Sequence, residues 1–134
     1  NKNVIYIAYV GRYGLQDVYK YGKTHDLYTR VLKSHVKTFQ TFDIEVVRET
    51  DQKDAVETAF GHALKMLRLH ATMSIGGVQQ KELFVLDEDH DIHSVVQVLD
   101  DIIAQHETDP ELEKLRLQLA IKQTELEIMR LQKM

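Results

Sequence analysis

Residues 4–30, VIYIAYVGRYGLQDVYKYGKTHDLYTR, decide how this chain folds. Val4 to Val10 is dense in β-branched and aromatic side chains, which pack well on a pleated surface, and Gly11 closes the run. Gly14 and Asp17 separate it from a second run, Val18 to Gly22, so the pair predicts two strands joined as a hairpin. Gly22 ends the second strand. Thr24 or Asp26 then offers an oxygen to the free backbone N–H groups of a helix running to about Thr38. On that helix Leu27, Val31, Leu32, Val36 and Phe39 form a broad apolar face, while Asp26, Arg30, Lys33, Ser34 and Lys37 are polar. Arg30 is expected on the solvent side, one turn in, beside the end of a hairpin that carries Tyr6, Lys20 and Tyr21.

Downstream, Val56, Ala59, Phe60, Ala63, Leu64 and Leu67 share one face of a helix predicted from about Gln52 to His70. Glu57 lies at the margin of that face, where a carboxylate loses water unless something pairs with it. Gly76-Gly77 marks a loop from Thr72 to Gln80, Glu82 to Leu86 reads as a strand, and Ile92, Val95, Val96, Leu99, Ile102 and Ile103 mark a helix to about His106. After Thr108-Asp109-Pro110 almost every residue is a helix former, with Pro110 at the first helical position. The expected organisation is a domain over residues 1–107 and an amphipathic helix over residues 108–134. In that helix Leu112, Leu115, Leu119, Lys122, Leu126 and Met129 follow a coiled-coil spacing, with Leu117, Ile121, Ile128 and Leu131 expected to broaden the stripe. About three heptads is short for an independent coiled coil, so the helix is a candidate for dimerisation, for docking, or for joining a partner domain. The ends at Asn1 and Met134 read as trimmed, with room for such a domain beyond them.

The chain has 134 residues, 43% of them hydrophobic, with no long apolar run, so the expectation is a soluble globular protein without a transmembrane span. It has no Cys, hence no disulfide or thiolate metal site, and no signal peptide is read at its start. An intracellular setting, cytoplasmic or nuclear, follows as the expectation. The net charge of −4 hides an asymmetry: residues 1–50 carry eight Lys and Arg against five Asp and Glu, and residues 51–110 carry four against twelve. A phosphate chain feels the local field, so the basic first third is where an anionic substrate is expected.

The ordered residues Val4-Ile5-Tyr6, Lys20-Tyr21-Gly22 and Arg30 resemble the motifs of the GIY-YIG endonuclease superfamily. The nearest likeness is to the branch in phages and large DNA viruses whose second motif reads Lys-hydrophobic-Gly. Phe42 to Glu49 is similar to the third strand, Asp54-Ala55-Val56-Glu57 to the start of the helix with the metal-binding glutamate, and Lys81-Glu82-Leu83-Phe84 to the closing strand. The resemblance spans roughly residues 4–105. It implies an α+β fold, with a small, mostly antiparallel sheet flanked by helices, followed here by the C-terminal helix. It also implies DNA phosphodiester hydrolysis with Mg²⁺ or Mn²⁺ held by Glu57, water activation aided by Tyr6, and Arg30 on the scissile phosphate.

A hard divalent cation takes oxygen ligands and keeps several waters, so one carboxylate plus substrate phosphate suffices. Arg30 offers a planar fork that matches phosphate oxygens. Lys20 replaces the second-motif tyrosine and is expected to contact phosphate or to move a proton. Alternation along a strand points Tyr19 and Tyr21 to the other face. The histidine often found one turn after the arginine is Ser34 here, and His35, about 140° round the helix from Arg30, is a weak candidate. Lys23, Arg30, Lys33 and Lys37 are the expected contacts to DNA. Two alternatives stand beside the nuclease: a nucleic-acid-binding module on the same fold without turnover, and an interaction or dimerisation module acting through the C-terminal helix. Asp87, Asp89 and Asp91 imitate the start of a calcium loop, but Ile92 and Val98 stand where Gly and Glu are required, so an acidic turn capping the next helix is expected.

Overall fold

The structure, a computed structural model, describes residues 3–30, 38–107 and 110–132. The opening hairpin forms as its sequence predicts, but both strands run longer. β1 spans Val4–Tyr13 and β2 spans Gln16–Thr24, so neither Gly11 nor Gly22 ends a strand. The ladder absorbs Gly11 because its register shifts between Tyr9 and Gly11, an irregularity that lets one extra residue into β1. The turn falls at Gly14, which adopts a left-handed φ of 66°.

Asp26 supplies the cap expected of it. Its carboxylate accepts hydrogen bonds from the backbone N–H of Thr29 at 3.2 Å and from the Thr29 hydroxyl at 2.8 Å, opening α1, described over Leu27–Arg30. Thr24 Oγ1 accepts from the Asp26 N–H at 3.0 Å, so both candidates serve one helix start. β3 (Asp43–Glu49) returns along the free side of β1, from Val4↔Glu49 to Tyr9↔Asp43.

The helix expected over Gln52 to His70 is shorter: α2 spans Lys53–Met66. Arg68 takes φ 61°, and the Leu69 N–H reaches back to the Leu64 carbonyl at 2.9 Å, so the helix closes in a left-handed turn without a glycine. His70 opens a strand instead. The loop expected over Thr72 to Gln80 is the turn and inner part of a second hairpin, β4 (His70–Ile75) with β5 (Val78–Val85), turning at Gly76 and Gly77 with φ 60° and 79°; the strand expected from Glu82 forms the end of β5. Those angles suit a tight turn whose twist matches the flanking strands. α3 spans Ile92–His106 and α4 spans Pro110–Gln132. Asp91 caps α3, accepting from the Ser94 N–H at 2.8 Å, and Asp87 accepts from the Asp89 N–H at 3.0 Å, so the acidic turn serves the backbone.

The chain is therefore α+β, with one five-stranded antiparallel sheet in the order β3-β1-β2-β5-β4. One face carries Ile5, Ile7, Tyr21 and Phe84 and is covered by Val56, Phe60 and Leu64 of α2 and by Val95, Leu99, Ile102 and Ile103 of α3. The other face carries Val10, Val18 and Leu83, closed by Phe39 and Ile75. Pairing of Tyr6 with Gly22 and of Ala8 with Lys20 puts Tyr6 and Lys20 together on one face, opposite Tyr21. Between β2 and β5 the ladder is three pairs long, Val18↔Val85, Tyr19↔Phe84 and Lys20↔Leu83.

α4 differs from the expected single stripe. At about 100° per residue, Leu117, Ile121, Ile128 and Leu131 lie opposite Leu115, Leu119, Leu126 and Met129, so they form a second stripe. All eight are at least half exposed.

Candidate functional site

Tyr6 is fully buried in β1, with its ring over Gly22 of β2: a Cβ at Gly22 would stand 2.6 Å from Tyr6 Cζ. Only a residue without a side chain admits the ring there. Phe42 holds it from the other side, with ring centroids 5.9 Å apart. The Arg30 guanidinium hydrogen-bonds the phenol, so the short described turn of α1 delivers its basic residue to the end of the hairpin. Burial raises the Tyr6 pKa to about 12; the charge and hydrogen bond of Arg30 oppose that rise, while Glu82 and Glu57 add to it.

Lys20, the second-motif lysine, is buried in β2 and has 5% of its surface exposed. A buried ammonium needs a counter-charge, and Glu82 Oε2 lies 3.7 Å from its Nζ. Burial lowers the Lys20 pKa, Glu82 counters that, and Arg30 lowers it further. Glu82 stands at an irregularity in β5, where the β4–β5 register shifts between Gln80 and Leu83, and Lys20 pairs with Leu83 next to it. The two meet just past the end of the β2–β5 ladder, in the opening left where those strands are no longer paired.

Glu57 enters the same opening from α2, with 12% of its side chain exposed. The carboxyl of Glu82 is near enough to act on it. Burial first, then the negative charge of Glu82, raise its pKa; Lys23, with Nζ 3.7 Å from Glu57 Oε1, pulls the other way. Lys23 also pairs with Asp54 at 2.9 Å, so this expected DNA contact is a rim cation spanning two acids of α2. Below the opening, Tyr21 Oη lies 3.2 Å from His70 Nε2. Burial and then the charges of Glu82 and Glu57 raise the Tyr21 pKa to about 12.

Of the residues singled out in the sequence, Tyr6, Lys20, Arg30 and Glu57 thus converge from four elements, and Lys23 sits at their edge. Lys33, His35 and Lys37 lie outside the described residues. Glu82 and His70 carried no role in the sequence reading. The signal for Glu82 was a lone acid in the apolar strand Glu82-Leu83-Phe84-Val85, but the acid's partners are far away along the chain.

Among the described residues, no three His, Asp or Glu groups converge as a ready cation cage. The nearest oxygen donors are the carboxyls of Glu57 and Glu82, and carboxylate oxygens are the donor type a hard cation such as Mg²⁺ or Mn²⁺ takes, rather than a softer ion. No described helix is long and apolar enough to cross a membrane. In comparison with known proteins, the chain matches no protein-family model, no curated protein and no solved structure.

Proposed function

We propose that the chain is a divalent-metal-dependent endonuclease of GIY-YIG type that hydrolyses DNA phosphodiester bonds. The observation that carries this reading is the convergence of Tyr6, Lys20, Arg30 and Glu57 on one opening in the sheet. Together they supply the parts phosphodiester cleavage asks for: a cation-binding carboxylate, fixed positive charge for the phosphoryl oxygens, and groups that orient or move a proton.

Arg30, exposed at the end of the described turn, is placed to take a phosphate oxygen while keeping Tyr6 in position. With its pKa near 12, Tyr6 stays a neutral phenol at physiological pH and orients the attacking water by hydrogen bonding. Lys20, with a lowered pKa, is the group best able to exchange a proton with the reacting oxygens. Glu57 would hold the divalent ion, whose chemistry there would be to polarise the phosphate and its water. Lys23, 3.7 Å from the Glu57 carboxylate, would share that group with the ion or leave it.

The test is cleavage of supercoiled, single-stranded and branched DNA with Mg²⁺ or Mn²⁺, beside Glu57→Ala and an EDTA control. The expected result is cutting that needs the metal and falls about 100-fold or more in the folded Glu57→Ala variant, the usual scale for losing a main electrostatic element. Salt-sensitive binding without cutting, unchanged by Glu57→Ala, would make the chain a DNA-binding module instead.

A further inference from the structure

We infer that α4 is a self-association helix: two copies of the chain pair through it in parallel, along the seam of Leu115, Leu119, Leu126 and Met129. The inference stands apart from the catalytic site. All four side chains are at least half exposed, on a helix that keeps their 3-4 spacing over most of its length. The second stripe, Leu117, Ile121, Ile128 and Leu131, is as apolar and as exposed, so apolarity alone selects neither a seam nor an occupant. The flanking charges do.

In a parallel pair, the residue just before a core position lies across from the residue five places later in the other copy. Beside the Leu115 seam that rule sets Glu125 against Arg130 of the second copy, and both side chains are exposed. Fourteen positions earlier the sequence repeats the pair as Glu111 and Arg116, and midway between stand Gln118 and Gln123, so every step is complementary or neutral. Within one helix Glu125 and Arg130 lie about 140° apart, too far round to meet, so the match serves a neighbouring chain. An antiparallel pair would set the glutamate flank against itself and the arginine flank against itself, bringing like charges together. Beside the second stripe the flanking positions hold Glu113, Glu125 and Glu127 and no Lys or Arg, so two copies joined there would face acid with acid. Lys122 interrupts the first seam. In a two-stranded pair its stem packs while its ammonium reaches water at the edge, whereas a bundle of more copies would enclose it, so the seam accepts two. Parallel pairing brings the two preceding domains to the same end of the helix pair.

The test is sedimentation equilibrium of the whole chain at about 100 µM, a concentration that populates even a complex of micromolar affinity. The mass of two chains is expected. Leu119→Glu on the seam should weaken association about tenfold or more, and Ile121→Glu on the second stripe should leave it unchanged. Glu125→Arg should weaken it about fivefold, and adding Arg130→Glu to that variant should restore it, since the swapped pair is again complementary. Circular dichroism checks that each variant folds. Orientation is read from Leu115→Cys in a glutathione redox buffer, because the chain has no other Cys. Parallel copies bring the two sulfurs together and a disulfide-linked dimer is expected; antiparallel copies hold them at least about 15 Å apart. The mass of one chain, whether α4 stays free or docks on its own domain, overturns the inference. So does a dimer lost in Ile121→Glu but kept in Leu119→Glu, or one that Leu115→Cys fails to link.

Discussion

Protonating His70 removes the acceptor that Tyr21 uses. Neutral, the ring accepts at Nε2 from the Tyr21 hydroxyl 3.2 Å away and also hydrogen-bonds the backbone of Lys81. Burial, and then the nearby Lys65, lower its pKa below the ordinary imidazole value of about 6.5. The sign follows from linkage: a group whose folded pKa is depressed contributes stability above its unfolded pKa and loses it as pH falls through the folded one. Urea midpoints measured between about pH 7.5 and 5.5 are therefore expected to decline on the acid side of the imidazole range. In His70→Gln, whose amide accepts from Tyr21 without titrating, the decline should be shallower. At this scale the sequence was informative where order along the chain marks residues that the fold brings together, as with Tyr6, Lys20, Arg30 and Glu57. It was silent on Glu82, because that acid's neighbours come from α2 and β2. No local pattern encodes the opening in which they meet.

Among the elements, the first hairpin, the Asp26 and Asp91 caps and α3 were legible because each has its own local signal, a β-branched run, a capping acid or a clear period, whereas β3 was expected only from the resemblance of Phe42 to Glu49 to a family strand. The β4–β5 hairpin was not. α2 ends at a left-handed Arg68, so the glycine that normally announces a helix terminus is missing and the helical period seems to run on. Ala71, Met73 and Ile75 then alternate with Thr72 and Ser74, a period of two that a nine-residue loop reading hides. Gly76-Gly77 belongs to this hairpin as its turn. A Cβ at Gly77 would meet nothing within 4 Å, so any cost of substitution there comes from φ 79° alone. Gly77→Ala is expected to lower stability by about 1 kcal/mol, and Gly77→Asn by less, since Asn tolerates the left-handed region. Thermal unfolding of the two variants compares them directly.

In the whole molecule, helices α2 and α3 pack against each other, and α2 against β1, β2 and β4, whereas among the described residues α4 makes no packing of comparable extent with another element. Its two opposed apolar stripes explain why the sequence reading of a single seam fell short: the spacing was seen, but not that its second set of residues lies half a turn away. Removing residues 111–134 is expected to leave the urea stability of the remaining domain within about 0.5 kcal/mol, the range of surface changes. A larger fall would mean that α4 docks on the domain. The short β2–β5 seam bears on how the molecule assembles. β1 and β2 meet across a two-residue turn, but Lys20 waits for Leu83 and Glu82, which follow after two strands and two helices. Closing so long a loop costs entropy that nearby contacts cannot return in advance. The gathering of Tyr6, Lys20, Glu57 and Glu82 is thus a late product of folding: chains that stop short of that step keep a formed N-terminal hairpin with those side chains still apart.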